Sequence, residues 1–408
     1  MMKLTTLDNG LKVASRTMPG VETVAIGLYA EAGSRHEPAR VNGIAHLFEH
    51  MVFKGAGGRS AREISEAIED VGGDLNACTE RDQTSFTASL LAEHLPLGIE
   101  LIADMILRPH FAAEDLAREK EVVLQELGEA RDTPGDIIFD ELWTAAWPDQ
   151  PLGRSILGDE TSIGAIGLDD LHLWRTDLYR AGGLTLVAAG KLDHDELVRL
   201  AEARFASLPA GTIDAAAPAR FGGGARASRP RAEQAHLTGA YAAPGIHDPG
   251  YYPARLFSDI VGAGASSRLF QAVREERGLA YSIWSSLQPY QDAGLFYFYA
   301  ATARREAAAA SALIVHVVAD AAGTATQREL DRARAQAKAG LLMSLESSWG
   351  QAAYVARQLA IRGRLVEPAE VVAELDAVTL DQVRAAAAAI LAGPQARATI
   401  GMPAVKAA

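Results

Sequence analysis

His46-Leu47-Phe48-Glu49-His50-Met51-Val52-Phe53-Lys54-Gly55 reads as most of one helix, expected over residues 42–54. His46 and His50 stand four apart, so on a helix they share a face and can reach one ion. Glu49 is three residues from His46 and adjacent to His50. It stands at the edge of that face, placed to accept a proton from water rather than to ligate. Neutral imidazoles suit Zn²⁺, which in a hydrolytic site takes three protein ligands and keeps a fourth position open.

The order of residues is the reverse of His-Glu-x-x-His, the inverzincin arrangement. A third ligand must come from elsewhere. The helix expected over residues 113–131 offers Glu119 and Glu126, seven apart and so two turns apart on one face. Spacing leaves the choice between them open.

Outward from this helix the pattern alternates between strands and helices. Asn9-Gly10 suits a tight turn between two strands, and residues 24–30 read as a third. Ser60 with Glu63 forms a capping box for a helix whose apolar stripe is Ile64, Ala67, Ile68 and Val71, and Gly72-Gly73 ends it. Strands are expected over residues 75–78, 84–90 and 184–189. Helices are expected over residues 95–107, 136–146 and 194–205.

Residues 208–231 are rich in Pro, Gly, Ala and Arg and carry no apolar period, so they read as a linker. Gly222-Gly223-Gly224 within them lacks the preceding strand and following Gly-Lys-Ser/Thr of a phosphate loop. Beyond the linker the chain reads as a divergent copy of its first half. Ile64–Ile68 matches Leu269–Val273 in pattern at an offset of 205, and Gly73 then falls on Gly278. Gly167-Leu168-Asp169-Asp170-Leu171 likewise resembles Thr379-Leu380-Asp381-Gln382-Val383. The metal pattern is not repeated: His46, Glu49 and His50 fall on Tyr251, Ala254 and Arg255. The expected domains are residues 1–207, carrying the metal, and residues 232–408, without one.

Composition bounds the function. Lys and Arg number 39 against 52 Asp and Glu, a formal charge of −13, which repels phosphates and argues against general nucleic-acid binding. The same charge favours basic partners. Cys78 is the only cysteine, so no intrachain disulfide forms. The first residues show neither a signal-peptide nor a transit-peptide pattern. No apolar run reaches 18 residues, and residues 312–323 read as a buried helix. A cytoplasmic protein without a membrane partner is expected. The eight other histidines show no paired spacing and are expected at the surface.

The sequence resembles the pitrilysin / mitochondrial processing peptidase family, in its short-subunit branch. The resemblance rests on His46–Gly55, on Gly72-Gly73-Asp74-Leu75-Asn76-Ala77-Cys78-Thr79, and on Glu119-Lys120-Glu121-Val122-Val123-Leu124-Gln125-Glu126. It continues through Pro151–Gly158 and from Ser267-Arg268-Leu269-Phe270 to Arg274-Glu275-Glu276-Arg277-Gly278-Leu279-Ala280-Tyr281-Ser282, nearly the whole chain. Glu126 lies 76 residues beyond His50, the spacing at which this family places its third zinc ligand.

That resemblance implies an α+β fold of two homologous halves, each a mixed or antiparallel sheet with helices packed on it. It implies one zinc per chain, held by His46, His50 and Glu126, with Glu49 as general base. Glu119 is implied as a second acidic residue that supports catalysis without ligating. Asn76 and Ala77 are implied on the strand whose edge binds substrate, and Arg274 with Tyr281 as a distal pair facing the oxyanion. The implied activity is a zinc endopeptidase cleaving unfolded peptides within a closed chamber. The chain carries both halves of the site, so the resemblance implies a homodimer with sites shared between chains. A non-catalytic scaffold of the same fold is disfavoured by the full set of His46, Glu49, His50 and Glu126. A catalytic subunit needing a different partner is disfavoured by Arg274 and Tyr281 in the same chain.

Overall fold

The turn expected at Asn9-Gly10 is present in the computed structural model, which describes residues 1–228 and 232–402. Gly10 takes φ +99°, which glycine adopts without a Cβ penalty, and Asn9 Oδ1 accepts the Leu11 N–H at 3.1 Å. In chain order the first elements are β1 (Met2–Thr6), β2 (Lys12–Thr17), β3 (Thr23–Ala30) and α1 (Ile44–Val52), then the short β4 (Gly55–Ala56) and β5 (Arg59–Ser60). Next come α2 (Ala61–Glu69), β6 (Asp74–Thr79), β7 (Thr84–Leu91), α3 (Leu95–Leu107) and α4 (Ala113–Asp132). These are followed by α5 (Pro134–Ala146), α6 (Glu160–Ala165), α7 (Leu168–Leu178), β8 (Leu184–Gly190) and α8 (His194–Phe205). The later part holds β9 (Gly224–Ser228), β10 (Gln234–Ala243), α9 (Tyr251–Gly262), β11 (Ala280–Pro289), β12 (Gly294–Ala303) and α10 (Ala307–Thr324). It ends with α11 (Gln327–Ser344), α12 (Ser348–Arg362), α13 (Pro368–Ala377), α14 (Leu380–Leu391) and β13 (Gln395–Ile400).

The fold is α+β with two halves of one topology. The first sheet has the order β1-β2-β8-β3-β7-β6 and the second β11-β12-β10-β13-β9. Read from the free edge, β6-β7-β3-β8-β2 corresponds to β11-β12-β10-β13-β9. The sense of pairing corresponds as well: β2 with β8 and β9 with β13 are parallel, and the other pairs compared are antiparallel. The repeat read from the sequence is therefore structural. Gly167 precedes α7 and β8 just as Thr379 caps α14 ahead of β13.

The chain packs into two compact units that do not follow the expected split between residues 207 and 232. One unit is Met1–Leu127, Ser155–Ala217 and Leu342–Glu367; the other is Gly128–Arg154, Pro218–Leu341 and Pro368–Ala408. Burial gives the reason. In the second unit α5 buries Ile138, Leu142, Trp143 and Ala146 against β13, β10 and β9. In the first unit α12 buries Ala352, Val355 and Leu359 over β8, β3 and β2. Each sheet thus takes one covering helix from the other half of the sequence. The expected linker also contains a strand, since β9 pairs with β13. Residues 229–231 of that linker lie outside the described residues.

Two further expectations change. The segment read as a buried helix is α10, which is long and apolar enough to cross a membrane by length and composition. Only its stripe Ala307, Ala310, Ile314, Val318 and Ala321 is buried, at helical spacing, and it packs on α9 and α14. His194, expected at the surface, is buried at the start of α8. Ser15 Oγ lies 2.8 Å from its Nδ1 and Thr5 Oγ1 lies 2.8 Å from its Nε2. Desolvation lowers its pKa, so both hydroxyls hold a neutral ring.

The start of α1 is set by a buried carboxylate. Gly43, at φ +93°, offers no side chain to cap the helix. Glu37 instead accepts the N–H groups of Gly43 (2.8 Å) and Ala45 (2.9 Å) and the side-chain amide of Asn42 (2.5 Å). A carboxylate there also suits the positive end of the helix. Glu37→Ala leaves buried donors without partners, and chemical denaturation should show a loss of about 1–3 kcal/mol. An unchanged denaturation midpoint would remove Glu37 from this role.

Candidate metal centre

α1 is nine residues long, and six of them are buried: Ile44, Ala45, Leu47, Phe48, Met51 and Val52. The other three are His46, Glu49 and His50. Burial of the apolar side therefore turns all three chemical groups the same way. α4 faces them with an otherwise charged helix whose buried stripe is Leu116, Glu119, Val123 and Leu127.

The two helices bring His46, His50 and Glu126 together, with one ligand atom of each within 4.8 Å of the others. His46 Nε2 lies 3.7 Å from Glu126 Oε2 and His50 Nε2 lies 3.8 Å from Glu126 Oε1. The imidazole centroids are 4.5 Å apart. Among the described residues this is the one group of its kind. Two imidazole nitrogens and a carboxylate oxygen match the donor types and number of a three-ligand hydrolytic zinc site. His46 Nδ1 is buried without a hydrogen-bond partner. The residues present therefore fit a zinc ion.

Glu119 is not in that group. It is 6% exposed, and its Oε2 accepts from His50 Nδ1 at 3.1 Å. Its other oxygen pairs with Lys54 Nζ at 2.8 Å. A carboxylate on Nδ1 places the proton there and leaves Nε2 free to ligate. Lys54 and Glu119 thus orient His50. Neither contact can be read from sequence spacing, because 69 residues separate Glu119 from His50.

Glu49 is held by Thr79, whose hydroxyl donates to Oε2 at 2.5 Å. Burial raises the Glu49 pKa, and the Thr79 bond and the nearby His50 oppose the rise. A raised carboxyl pKa moves toward working pH, which suits a group that accepts and returns a proton. Burial, and then the neighbouring His50, push His46 down to about 4. His46 is therefore neutral, and ready to ligate, well below neutral pH.

That shift has a consequence for stability. The folded pKa lies below the unfolded value, so the stabilisation is present above pH 6.5 and lost as pH falls toward 4. In chelator-treated protein the loss across that window amounts to about 3 kcal/mol from His46. Denaturation midpoints of the His46→Gln protein should fall less over the same window; equal falls would rule His46 out as the source.

Asn76 and Ala77 lie on β6, the edge strand of the first sheet, which pairs with β7 on one side only. Arg274 and Tyr281 lie in the second unit and meet there. The Arg274 guanidinium stands 4.6 Å from the Tyr281 ring centroid and 4.6 Å from that of Phe270. Arg274 sits in a π-helical turn, Phe270–Glu275. Tyr281 sits where the register of β11 against β12 shifts, between Ala280 and Ser282. The bulge turns a strand aromatic out of the core and leaves it 79% exposed.

The helix-borne His-x-x-Glu-His set, joined by a distant Glu, has the donor order of the inverted zinc motif. Comparison with known proteins agrees. Residues 12–160 match the model described as Insulinase (Peptidase family M16), and residues 165–337 match the Peptidase M16 inactive domain. The chain belongs to the peptidase M16 family. It is 36% identical over 366 residues to a protein of Rickettsia bellii named an uncharacterized zinc protease, covering 90% of this chain and 89% of that one. It is 33% identical to the mitochondrial-processing peptidase subunit beta of Lentinula edodes, covering 94% of this chain and 86% of that one. A solved structure described as a peptidase M16 inactive domain from Pseudomonas fluorescens shares the fold. Its TM-score is 0.92 at 23% identity, with coverage of 100% and 99%.

Proposed function

We propose that this chain is a zinc-dependent endopeptidase that cleaves unfolded polypeptide, with Glu49 as general base. The observation that carries the reading is the meeting of His46, His50 and Glu126 within 4.8 Å, with the Glu49 carboxylate on the same helix face. When bound, zinc would lower the pKa of a water to about 7 and polarise a carbonyl.

The chain's own residues account for the rest. His46 and His50 would present neutral nitrogens, and Glu119 with Lys54 would hold the His50 ring. Glu49 takes a proton from the attacking water and returns it to the leaving amine. Extended substrate adds to the free edge of β6 through main-chain bonds, beside Asn76 and Ala77. Arg274 and Tyr281 would donate to the oxyanion as it forms. In this reading the pair serving one zinc comes from a second copy of the chain, and the working form is a homodimer enclosing its substrate. A closed compartment favours chains that are already unfolded.

Metal removal tests the peptidase reading. Purified protein should contain one zinc per chain. Chelation should abolish cleavage of an unstructured fluorogenic peptide, and stoichiometric Zn²⁺ should restore it. Stripped protein that cleaves at the untreated rate would overturn the reading.

A further inference from the structure

Tyr281 is 79% exposed, so packing from the core does little to fix its ring. What stands against it is a charge. The Arg274 guanidinium carbon lies over the Tyr281 ring and over the Phe270 ring, 4.6 Å from each centroid. Both distances are within the reach of a cation–π contact. Phe270 and Arg274 are four residues apart in one helical turn, so their side chains are neighbours on one face. That turn is π-helical: the Glu276 N–H bonds to the Gln271 carbonyl, five residues back, at 2.9 Å. Such turns are rare and recur at functional sites. Buried Val273 anchors the turn, which packs on α10 and on β11, the strand that carries Tyr281. Phe270 is half-buried, and is thus the better anchored of the two rings. All three side chains belong to the second unit.

We infer that Phe270 is a positioning residue for this pair: its ring holds the Arg274 guanidinium against Tyr281 and so fixes where both groups donate. The inference rests on the proposal that Arg274 and Tyr281 face the oxyanion. The chemistry of the contact suits that task. A carboxylate partner would also orient a guanidinium, but it would take up donors and offset the charge. Ring faces hold the cation through its delocalised plane and claim no donor. Among the described residues Arg274 donates no hydrogen bond. Its ion pair with Glu275 is long, 3.7 Å from Nε, and Glu275 is 53% exposed, so that contact adds little. The terminal nitrogens are therefore available to a developing negative charge. Donors fixed in advance lower a barrier because they need not reorient as the charge forms. Without the Phe270 ring, a long side chain and an exposed phenol would have to find that geometry at every turnover.

The test compares the zinc-loaded full chain with its Phe270→Leu, Phe270→Tyr, Arg274→Ala and Phe270→Leu/Arg274→Ala variants on an unstructured fluorogenic peptide. Phe270→Leu keeps an apolar side chain but removes the ring. Its kcat should fall about tenfold, with KM within about twofold of the unaltered chain. Phe270→Tyr keeps a ring, and its kcat should stay within about twofold. Arg274→Ala should cost about 10²-fold in kcat. In that background Phe270→Leu should cost less than about twofold more, because the group it acts through is already gone. A purely structural role would cost the same in both backgrounds; that result overturns the inference. So does an unchanged kcat in Phe270→Leu when Arg274→Ala is impaired. A second readout needs no turnover. Protons over a ring face are shifted upfield in NMR spectra. The Arg274 Nε–H, identified by its absence from Arg274→Lys, should therefore lie upfield of other arginines. It should move back in Phe270→Leu and stay in Phe270→Tyr; no movement overturns the inference. If the zinc-loaded chain cleaves nothing, or Arg274→Ala is fully active, the oxyanion reading fails, and this shift alone decides whether Phe270 positions Arg274.

Discussion

Glu49→Gln protein should hold its full zinc content and cleave peptide about 10³-fold more slowly than the unaltered chain. The carboxylate is outside the group of ligand atoms and is bonded to Thr79 instead. Glutamine keeps the volume and can still accept the Thr79 hydroxyl, so the local structure persists. An amide cannot take a proton from water near neutral pH, so the loss should fall on kcat with little change in KM. The acid limb of the kcat/KM profile, set by the raised Glu49 pKa, should disappear from the residual activity. Residual cleavage within about tenfold of the unaltered chain, with zinc present, would take the general-base role away from Glu49. Glu126→Gln should behave differently, losing zinc as well as activity.

Mixing His50→Ala protein with Tyr281→Phe protein should create activity that neither has alone. The first variant lacks one imidazole of the proposed zinc site; the second lacks a hydroxyl in the other unit. If each site takes its metal from one chain and its Tyr281 from another, a mixed dimer has one intact site and one doubly damaged site. Equal mixing with free exchange makes about half the dimers mixed, so about one quarter of the sites should work. Exchange is verified with differently tagged chains. No recovery after verified exchange would place Arg274 and Tyr281 outside a shared site.

The readability of the site followed distance along the chain. His46, Glu49 and His50 lie within one turn and a half of one helix, so their common face was set by spacing alone. Glu126 was one of two candidates on its helix until the resemblance separated them, and the structure then put it, rather than Glu119, within reach of both imidazoles. Lys54, Thr79 and Glu37 were in view as residues but carried no sign of their roles. Each acts through a contact with a partner that sequence pattern does not single out: Glu119, Glu49 and the N-terminal amides of α1. The burial of His194 is hidden from the sequence for the same reason. A lone histidine reads as a surface residue until two hydroxyls from distant strands close on it.

By itself the sequence determined the alternation of strands and helices, the repeat at an offset of 205 residues, and the one helix that carries His46, Glu49 and His50. These are local or periodic properties, written in apolar spacing, capping residues and turn glycines. Tertiary structure alone decided which helix covers which sheet. α5 and α12 each bury an apolar stripe on the sheet of the other half of the sequence. It also decided that α12 packs chiefly on β2, β8 and β3, with Trp349 beside the polar residues of β6 and β7. A helix spans only as many strands as its length and crossing angle allow, and no residue along the chain records where that limit falls.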